Sequence, residues 1–239
     1  MKTLIIVIIT ALLSIGALAV LFSRQSPATT VEVAVLRDVT DTLLAEPKAN
    51  EILPLFNLSG DDKWNGAVFH FSTISDVSYN KISETKIEAT NKWLSNEMER
   101  DREIKKFQNE ISGIISDSAK ENVGKKHSSI YVSIARELNR LAVSKSQKRI
   151  LLIYSDLMEN DLDVSLYKPK EIGLLKSNPD SLKNLFEKME PLSSLTGVEV
   201  YLIYQPANIE TDSEFHVVSN FYRNLLEARG AKVTIEANL

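Results

Sequence analysis

The sequence predicts an α/β domain whose doubly wound, mostly parallel six-stranded sheet carries helices on both faces. Six short runs are rich in β-branched and aromatic residues, which is typical of strands. Amphipathic segments lie between most of these runs, as expected for crossover helices. The apolar runs are nearly continuous rather than alternating, and this favours strands that are buried on both sides in a parallel sheet.

The candidate strands are distributed along the whole chain after the first 30 residues. In order, they are "TVEVAVLR", "NGAVFHFSTI", "KISETKIEA", "KRILLIYSD", "GVEVYLIYQ" and "AKVTIEANL". The third run is more polar than the others and follows the turn-rich "SDVSYN". We therefore predict that this strand is an antiparallel edge strand, joined to the second strand by a hairpin.

Five helices are predicted from apolar residues at helical spacing. They cover residues 43–56, 91–118, 129–143, 179–189 and 211–229. Pro47 breaks the first of them early, and Gly230 ends the last. The long helix 91–118 has one apolar stripe and a charged opposite face, so we expect it to dock on the sheet rather than form a coiled coil.

The N-terminus carries an uncharged, mostly apolar run over residues 4–22, closed by Arg24. A helix needs about 20 such residues to cross a bilayer. We predict that residues 1–23 form a membrane anchor; a signal peptide is the alternative, because "ALA" at 17–19 matches a cleavage site.

Residues 24–30 are polar and contain a proline, so they are predicted to be a short linker to a single domain over residues 31–239. Either interpretation of the N-terminus exports this domain. We expect a single-pass membrane protein with an extracytoplasmic domain, periplasmic or extracellular, which would be secreted if the N-terminal segment were cleaved.

Composition excludes several classes of function. The formal charge is −4, with basic and acidic residues interspersed, so nucleic acid is not an expected partner. The chain has no cysteine, which rules out disulfides, zinc–thiolate sites and cysteine nucleophiles. No Ser-His-Asp pattern or phosphate-binding glycine loop is visible, and we predict a binding protein rather than an enzyme.

A polar cluster follows the first strand in "LRDVTDT". If the chain stays extended there, Asp38, Thr40 and Thr42 alternate along it and present oxygens to the same side. Such hard oxygen donors suit Mg²⁺. The competing interpretation is that Asp and Thr residues at this point cap a helix, and Asp41 fits capping better than ligation.

Two other loops at the same edge of the predicted sheet supply further oxygens. "HSSIYVSI" opens a helix with Ser128, and "IYSDLMEN" ends a strand with Asp156. With "LRDVTDT", these motifs resemble the metal-ion-dependent adhesion site of von Willebrand factor type A domains. The resemblance covers residues 31–239, and it implies one divalent ion (Mg²⁺, or Mn²⁺ or Ca²⁺) held by Asp38, Thr40, Thr42, Ser128 and Asp156.

The same resemblance implies a sheet order of 3-2-1-4-5-6, with Asp38 and Asp156 on adjacent central strands. It also implies that a protein partner donates an acidic side chain to the ion. The chain departs from the family pattern at Leu157, which stands where a glycine is usual. It departs again in "GKKHSS", which puts Lys125, Lys126 and His127 near the mouth of the site.

Two other hypotheses remain open at this point. "VAVLRDVTDTLL" also resembles the nucleophile loop of haloacid-dehalogenase phosphatases, with Asp38 as nucleophile and Asp156 and Asp161 as metal-binding acids. Thr40 then replaces the aspartate that acts as general acid in that family. The third hypothesis is a membrane-tethered scaffold of the same fold with no working ion site.

Overall fold

A computed structural model describes residues 29–75, 80–93, 95–120, 127–161 and 164–239. Its strands are β1 (Thr30–Asp38), β2 (Gly66–Ile74), β3 (Ile82–Ile87), β4 (Lys148–Tyr154), β5 (Val198–Ile203) and β6 (Lys232–Glu236). They form a six-stranded sheet in the order β3-β2-β1-β4-β5-β6. Only β3 pairs antiparallel with its neighbour. The predicted fold class, strand order and antiparallel third strand are confirmed.

Strand β1 lies in the middle of the sheet because both of its faces are apolar. Val33 and Val35 point into one core, whereas Ala34 and Leu36 point into the other, and all four are buried. Parallel partners lie on both sides, β2 and β4, so the backbone groups of β1 are paired in both directions.

Helices cover both faces of the sheet. They are α1 (Ala49–Ile52), α2 (Glu97–Ser118), α3 (Ile130–Ala142), α4 (Pro169–Ser177), α5 (Pro179–Met189) and α6 (Ile209–Glu227). Short 3-10 turns occupy Leu53–Phe56 and Gly60–Trp64. Helices α3 to α6 enclose one core, and α2 encloses the other with α1 and the first 3-10 turn.

The first two helices start later than predicted. Residues 43–48 are not helical, because Pro47 disfavours a helical conformation for the residue before it, and α1 starts at Ala49. Helix α2 starts at Glu97 rather than 91, because the side chain of Asn96 caps it by accepting a 3.0 Å hydrogen bond from the N–H of Met98. Helix α4 was not predicted from the sequence.

The predicted anchor falls in residues 1–28, which lie outside the described residues. In the part of the chain that the structure describes, no helix combines the length and the apolar character needed to span a bilayer.

Candidate functional site

Asp38 and Asp156 leave the sheet at the same edge. Strands β1 and β4 are parallel neighbours, and Arg37 lies opposite Tyr154 at the end of their pairing. Asp38 directly follows Arg37, and Asp156 lies two residues after Tyr154. Both candidate ligands are therefore at the carboxyl ends of adjacent strands, where α/β folds place their ligands. Both carboxylates are buried.

Hydrogen bonds hold the Asp38 carboxylate from two sides. Its Oδ1 accepts from the N–H (2.9 Å) and the hydroxyl (2.6 Å) of Thr40. Its Oδ2 accepts a 2.8 Å hydrogen bond from the hydroxyl of Ser155, at the end of β4. The Thr40 hydroxyl donates its only hydrogen to Asp38, so its oxygen lone pairs remain able to face a cation.

Asp156 is held by the turn that follows it. Its Oδ1 accepts a 2.9 Å hydrogen bond from the N–H of Met158, and Tyr167 donates its hydroxyl to Oδ2 at 3.2 Å. Leu157, between them, has a φ of 63°, in the left-handed region. The residue that replaces the expected glycine thus adopts the backbone conformation in which glycine is favoured.

Burial raises the proton affinity of both carboxylates. Burial raises the pKa of Asp156 to about 7; the bond from Met158 opposes this, and the charge of Asp38 adds to it. Burial also raises the pKa of Asp38, although the hydrogen bonds from Thr40 and Ser155 lower it. Among the described residues, no basic side chain forms an ion pair with either one.

Ser128 joins the site through the loop that follows β4. Its N–H donates to the carbonyl of Asn160 at 3.0 Å, and its own carbonyl accepts from the N–H of Asn160 at 3.1 Å. The buried Ser128 hydroxyl donates to the carbonyl of Met158 at 3.4 Å. Met158 also bonds to Asp156, so it connects these two predicted ligands.

Glu159 is a buried polar residue of the site that the sequence analysis missed. Its carboxylate accepts hydrogen bonds from the N–H groups of Ile130 (3.2 Å) and Tyr131 (2.7 Å), at the start of α3. Burial raises the pKa of Glu159 to about 8, and the bond from Tyr131 opposes the shift. Glu159 thereby fixes the helix that begins just after Ser128. The acidic run "DLMEND" was the available signal.

The segment after β1 does not stay extended. The chain bends at Thr40 and Asp41, and Thr42 is exposed. The described hydrogen bonds do not link Thr42 to the other predicted ligands; its N–H donates to the Asp41 carboxylate at 2.7 Å. The capping interpretation of Asp41 is wrong, because no helix starts in the described segment between Asp41 and Ala49.

A buried arginine fixes the base of this bent segment. Arg37 Nε lies 2.6 Å from Glu46 Oε2, and Arg37 Nη2 donates to Glu46 Oε1 at 2.9 Å. The Nη1 group of Arg37 donates to the carbonyl of Ser118, at the end of α2, at 3.1 Å. Arg37 therefore connects β1, the loop that carries Thr40 and the end of α2.

The remaining residues named from the sequence are His127, Lys125, Lys126 and Asp161. His127 is exposed, whereas Lys125 and Lys126 lie outside the described residues. Asp161, the second metal-binding acid of the phosphatase hypothesis, accepts a hydrogen bond from the hydroxyl of Ser129. Ser129 occupies the N-cap position of α3 without a capping side-chain bond of its own.

The donor chemistry fits a hard divalent cation. Within the described ranges, no three His, Cys, Asp or Glu side chains group together in a way that could hold a metal. The predicted set, however, has only two carboxylates, and its other members are hydroxyls. Two buried carboxylates without a basic partner carry a desolvation cost that a cation or a proton at this position offsets.

Comparison of the sequence with protein-family models and with curated proteins finds no match. The likeness to von Willebrand type A domains therefore depends on the three motifs.

Proposed function

We propose that this chain is a membrane-anchored, extracytoplasmic domain of the von Willebrand type A kind, which binds a protein partner through a divalent cation. Residues 1–23 would form the anchor and residues 24–30 the linker. The cation would be Mg²⁺, or Mn²⁺ or Ca²⁺, and a carboxylate of the partner would complete its coordination.

The observation that supports this proposal best is the pair of buried carboxylates, Asp38 and Asp156, at the ends of the adjacent strands β1 and β4. Burying two like charges side by side is unfavourable unless a positive charge compensates them. In the described chain, no lysine or arginine provides that charge through an ion pair. A bound divalent cation would do so, and because it would remain electrophilic it could accept an external carboxylate as its last ligand.

Each predicted ligand would have a distinct part in holding the ion. The hydroxyls of Thr40, Thr42 and Ser128 would contact it directly. Asp38 and Asp156 would hold it largely through water molecules. Thr42 would need its side chain to turn toward Asp38, because it lies at an exposed position in the bent segment.

Calorimetric titration of the full chain in nanodiscs with Mg²⁺, Mn²⁺ and Ca²⁺ tests the ion site. We expect saturable binding that Asp38→Asn and Asp156→Asn abolish. Asp61→Asn is the matched control, since it removes the same charge from an exposed carboxylate paired with Lys92. No binding at millimolar concentrations of any of the three ions would favour the scaffold hypothesis.

Two further measurements separate binding from catalysis. Pull-down of partners from membranes should fail in the presence of EDTA, and partners retained equally well would contradict an ion bridge. Steady hydrolysis of p-nitrophenyl phosphate that Asp38→Asn abolishes would establish the phosphatase hypothesis instead.

A further inference from the structure

Large apolar side chains are exposed at the amino end of the sheet, opposite the candidate site. Trp93 is 76% exposed, Met98 67% and Val143 79%. The chain has two tryptophans, and the other, Trp64, is only 7% exposed. Apolar residues that are exposed singly are common on protein surfaces, whereas several at one end of a domain can mark a binding surface.

Several contacts place Trp93 at this end. The segment that contains it follows the last residue of β3, which lies beside the start of β2 because the two strands are antiparallel. The N–H of Thr90 donates to the carbonyl of Trp64 at 2.9 Å, just before β2. Lys92 forms a 2.9 Å ion pair with Asp61. Trp93 therefore lies beside the 3-10 turn that precedes β2.

The first described residues lie at the same end. The carbonyl of Thr29 accepts from the N–H of Gly66 at 2.9 Å, and the N–H of Thr29 donates to Asn65 Oδ1 at 3.1 Å. On the other side, the N–H of Thr30 donates to Gln147 Oε1 at 2.6 Å. Val143 lies four residues before Gln147. Thr29 thus lies between the segments that carry Trp93 and Val143.

The segment between the predicted anchor and this point is short. The apolar run ends at Phe22, which leaves residues 23–28 before Thr29. Fully extended, these six residues reach roughly 21 Å at about 3.5 Å each. The amino end of the sheet would therefore stay close to the bilayer, whichever way the domain rotates on its tether.

The chemistry of this end suits the headgroup layer of a bilayer. Tryptophan prefers the membrane–water interface, because its ring is apolar and its N–H can still reach water. The lysines beside Trp93 are paired: Lys92 with Asp61, and Lys63 with Glu97 (2.5 Å) and Asp101 (3.2 Å). Neither lysine beside Trp93 is left without an acidic partner, so we expect zwitterionic lipid to suffice for the contact of Trp93.

We propose that the amino end of the sheet rests on the membrane surface, with Trp93 in the lipid interface and Met98 and Val143 beside it. This inference rests on the membrane anchoring proposed above. It fixes an orientation in addition to a tether: Asp38 and Asp156 would point away from the membrane, about 30 Å along β1 from the lipid. A partner would then reach the ion site from the side opposite the bilayer.

Tryptophan quenching by brominated phosphatidylcholine tests the proposal on the full chain reconstituted in vesicles. Trp64→Phe leaves only Trp93, and Trp93→Phe leaves only the buried Trp64. We expect Trp93 to lose most of its emission in brominated vesicles relative to unbrominated ones, and Trp64 to keep most of its emission. If Trp64→Phe does not fold, the difference between wild type and Trp93→Phe gives the same information.

Flotation of the same vesicles separates this inference from the proposed function. Protein that floats and whose Trp93 is quenched supports both. Protein that floats with unquenched Trp93 overturns the membrane contact and leaves the anchor standing. Protein that does not float overturns both. Addition of anionic lipid should leave the quenching unchanged, and a strong dependence on anionic lipid would contradict the zwitterionic contact.

Discussion

Ser155 donates a 2.8 Å hydrogen bond to Asp38 Oδ2 and thereby joins the end of β4 to the end of β1. The same hydroxyl oxygen accepts a 2.9 Å hydrogen bond from the N–H of Leu157, in the turn that presents Asp156. One side chain therefore uses its donor for the first candidate ligand and its acceptor for the turn that holds the second. The positions of the two carboxylates are coupled through Ser155.

Replacing Ser155 with alanine should destabilise the domain by about 2 kcal/mol, because a buried carboxylate loses a hydrogen bond and the Leu157 N–H is left unpaired. Urea unfolding measures this change. Ser112→Ala is the control, since the Ser112 hydroxyl bonds to the Gln108 carbonyl on the exposed side of α2. If both variants have the same free energy of unfolding, Ser155 does not link the strands in the way described.

At Leu157, glycine and alanine should rank in stability in the opposite order from that at an ordinary buried leucine in a helix. The φ of 63° at Leu157 disfavours any residue with a Cβ, so we expect Leu157→Gly to be more stable than Leu157→Ala by about 1 kcal/mol. Leu138, equally buried but inside α3, is the control, and there alanine should be better than glycine by about 1 kcal/mol. Thermal unfolding of the four variants checks both orders. Alanine more stable than glycine at both positions would contradict a strained turn.

The sheet could be predicted because its strands have a distinctive composition. A strand such as β4, buried on both faces, needs a short apolar run without alternation. Few other secondary-structure elements need such a run. The polarity of β3 likewise marked an edge. Helix α4 was missed because it is a short helix within a long connection, and only Ile172 and Leu175 of it are buried.

The details of the site could not be predicted for a different reason. Ser155, Asp156 and Glu159 lie close together in the sequence, and all three are buried. Which of them faces a neighbouring strand, an ion or a helix terminus depends on the turn at Leu157, whose left-handed conformation is not typical of leucine. The bend at Thr40 results from its bonds to Asp38, and the strand pattern alone suggested an extended chain there.

Glu46 should matter more than an exposed ion-pair partner usually does. Glu46→Ala leaves the buried guanidinium of Arg37 without its carboxylate, and we expect a loss of about 2–4 kcal/mol in the free energy of unfolding. Glu51→Ala is the control, because its partner Lys48 is exposed, and it should cost less than about 1 kcal/mol. Equal effects would mean that Arg37 finds another partner when Glu46 is removed. Chemical denaturation of both variants measures the difference.

The raised pKa values of Asp156, about 7, and Glu159, about 8, predict an unusual dependence of stability on pH. Between their ordinary values and these values, the folded state binds more protons than the unfolded state, so metal-free protein should lose stability as pH rises from about 4 to about 8. Asp156 alone lowers the free energy of unfolding by up to about 1.4 kcal/mol per pH unit, and Asp156→Asn should remove that part of the slope.

Saturating Mg²⁺ should flatten the slope of stability against pH near and above pH 7, because an ion stabilises the deprotonated carboxylates that burial penalises. Melting temperatures in EDTA and in Mg²⁺ across this range test the sign, and stability that rises with pH in EDTA would contradict it. Asp61→Asn, at an exposed carboxylate with a lowered pKa, should leave the slope above pH 5 unchanged.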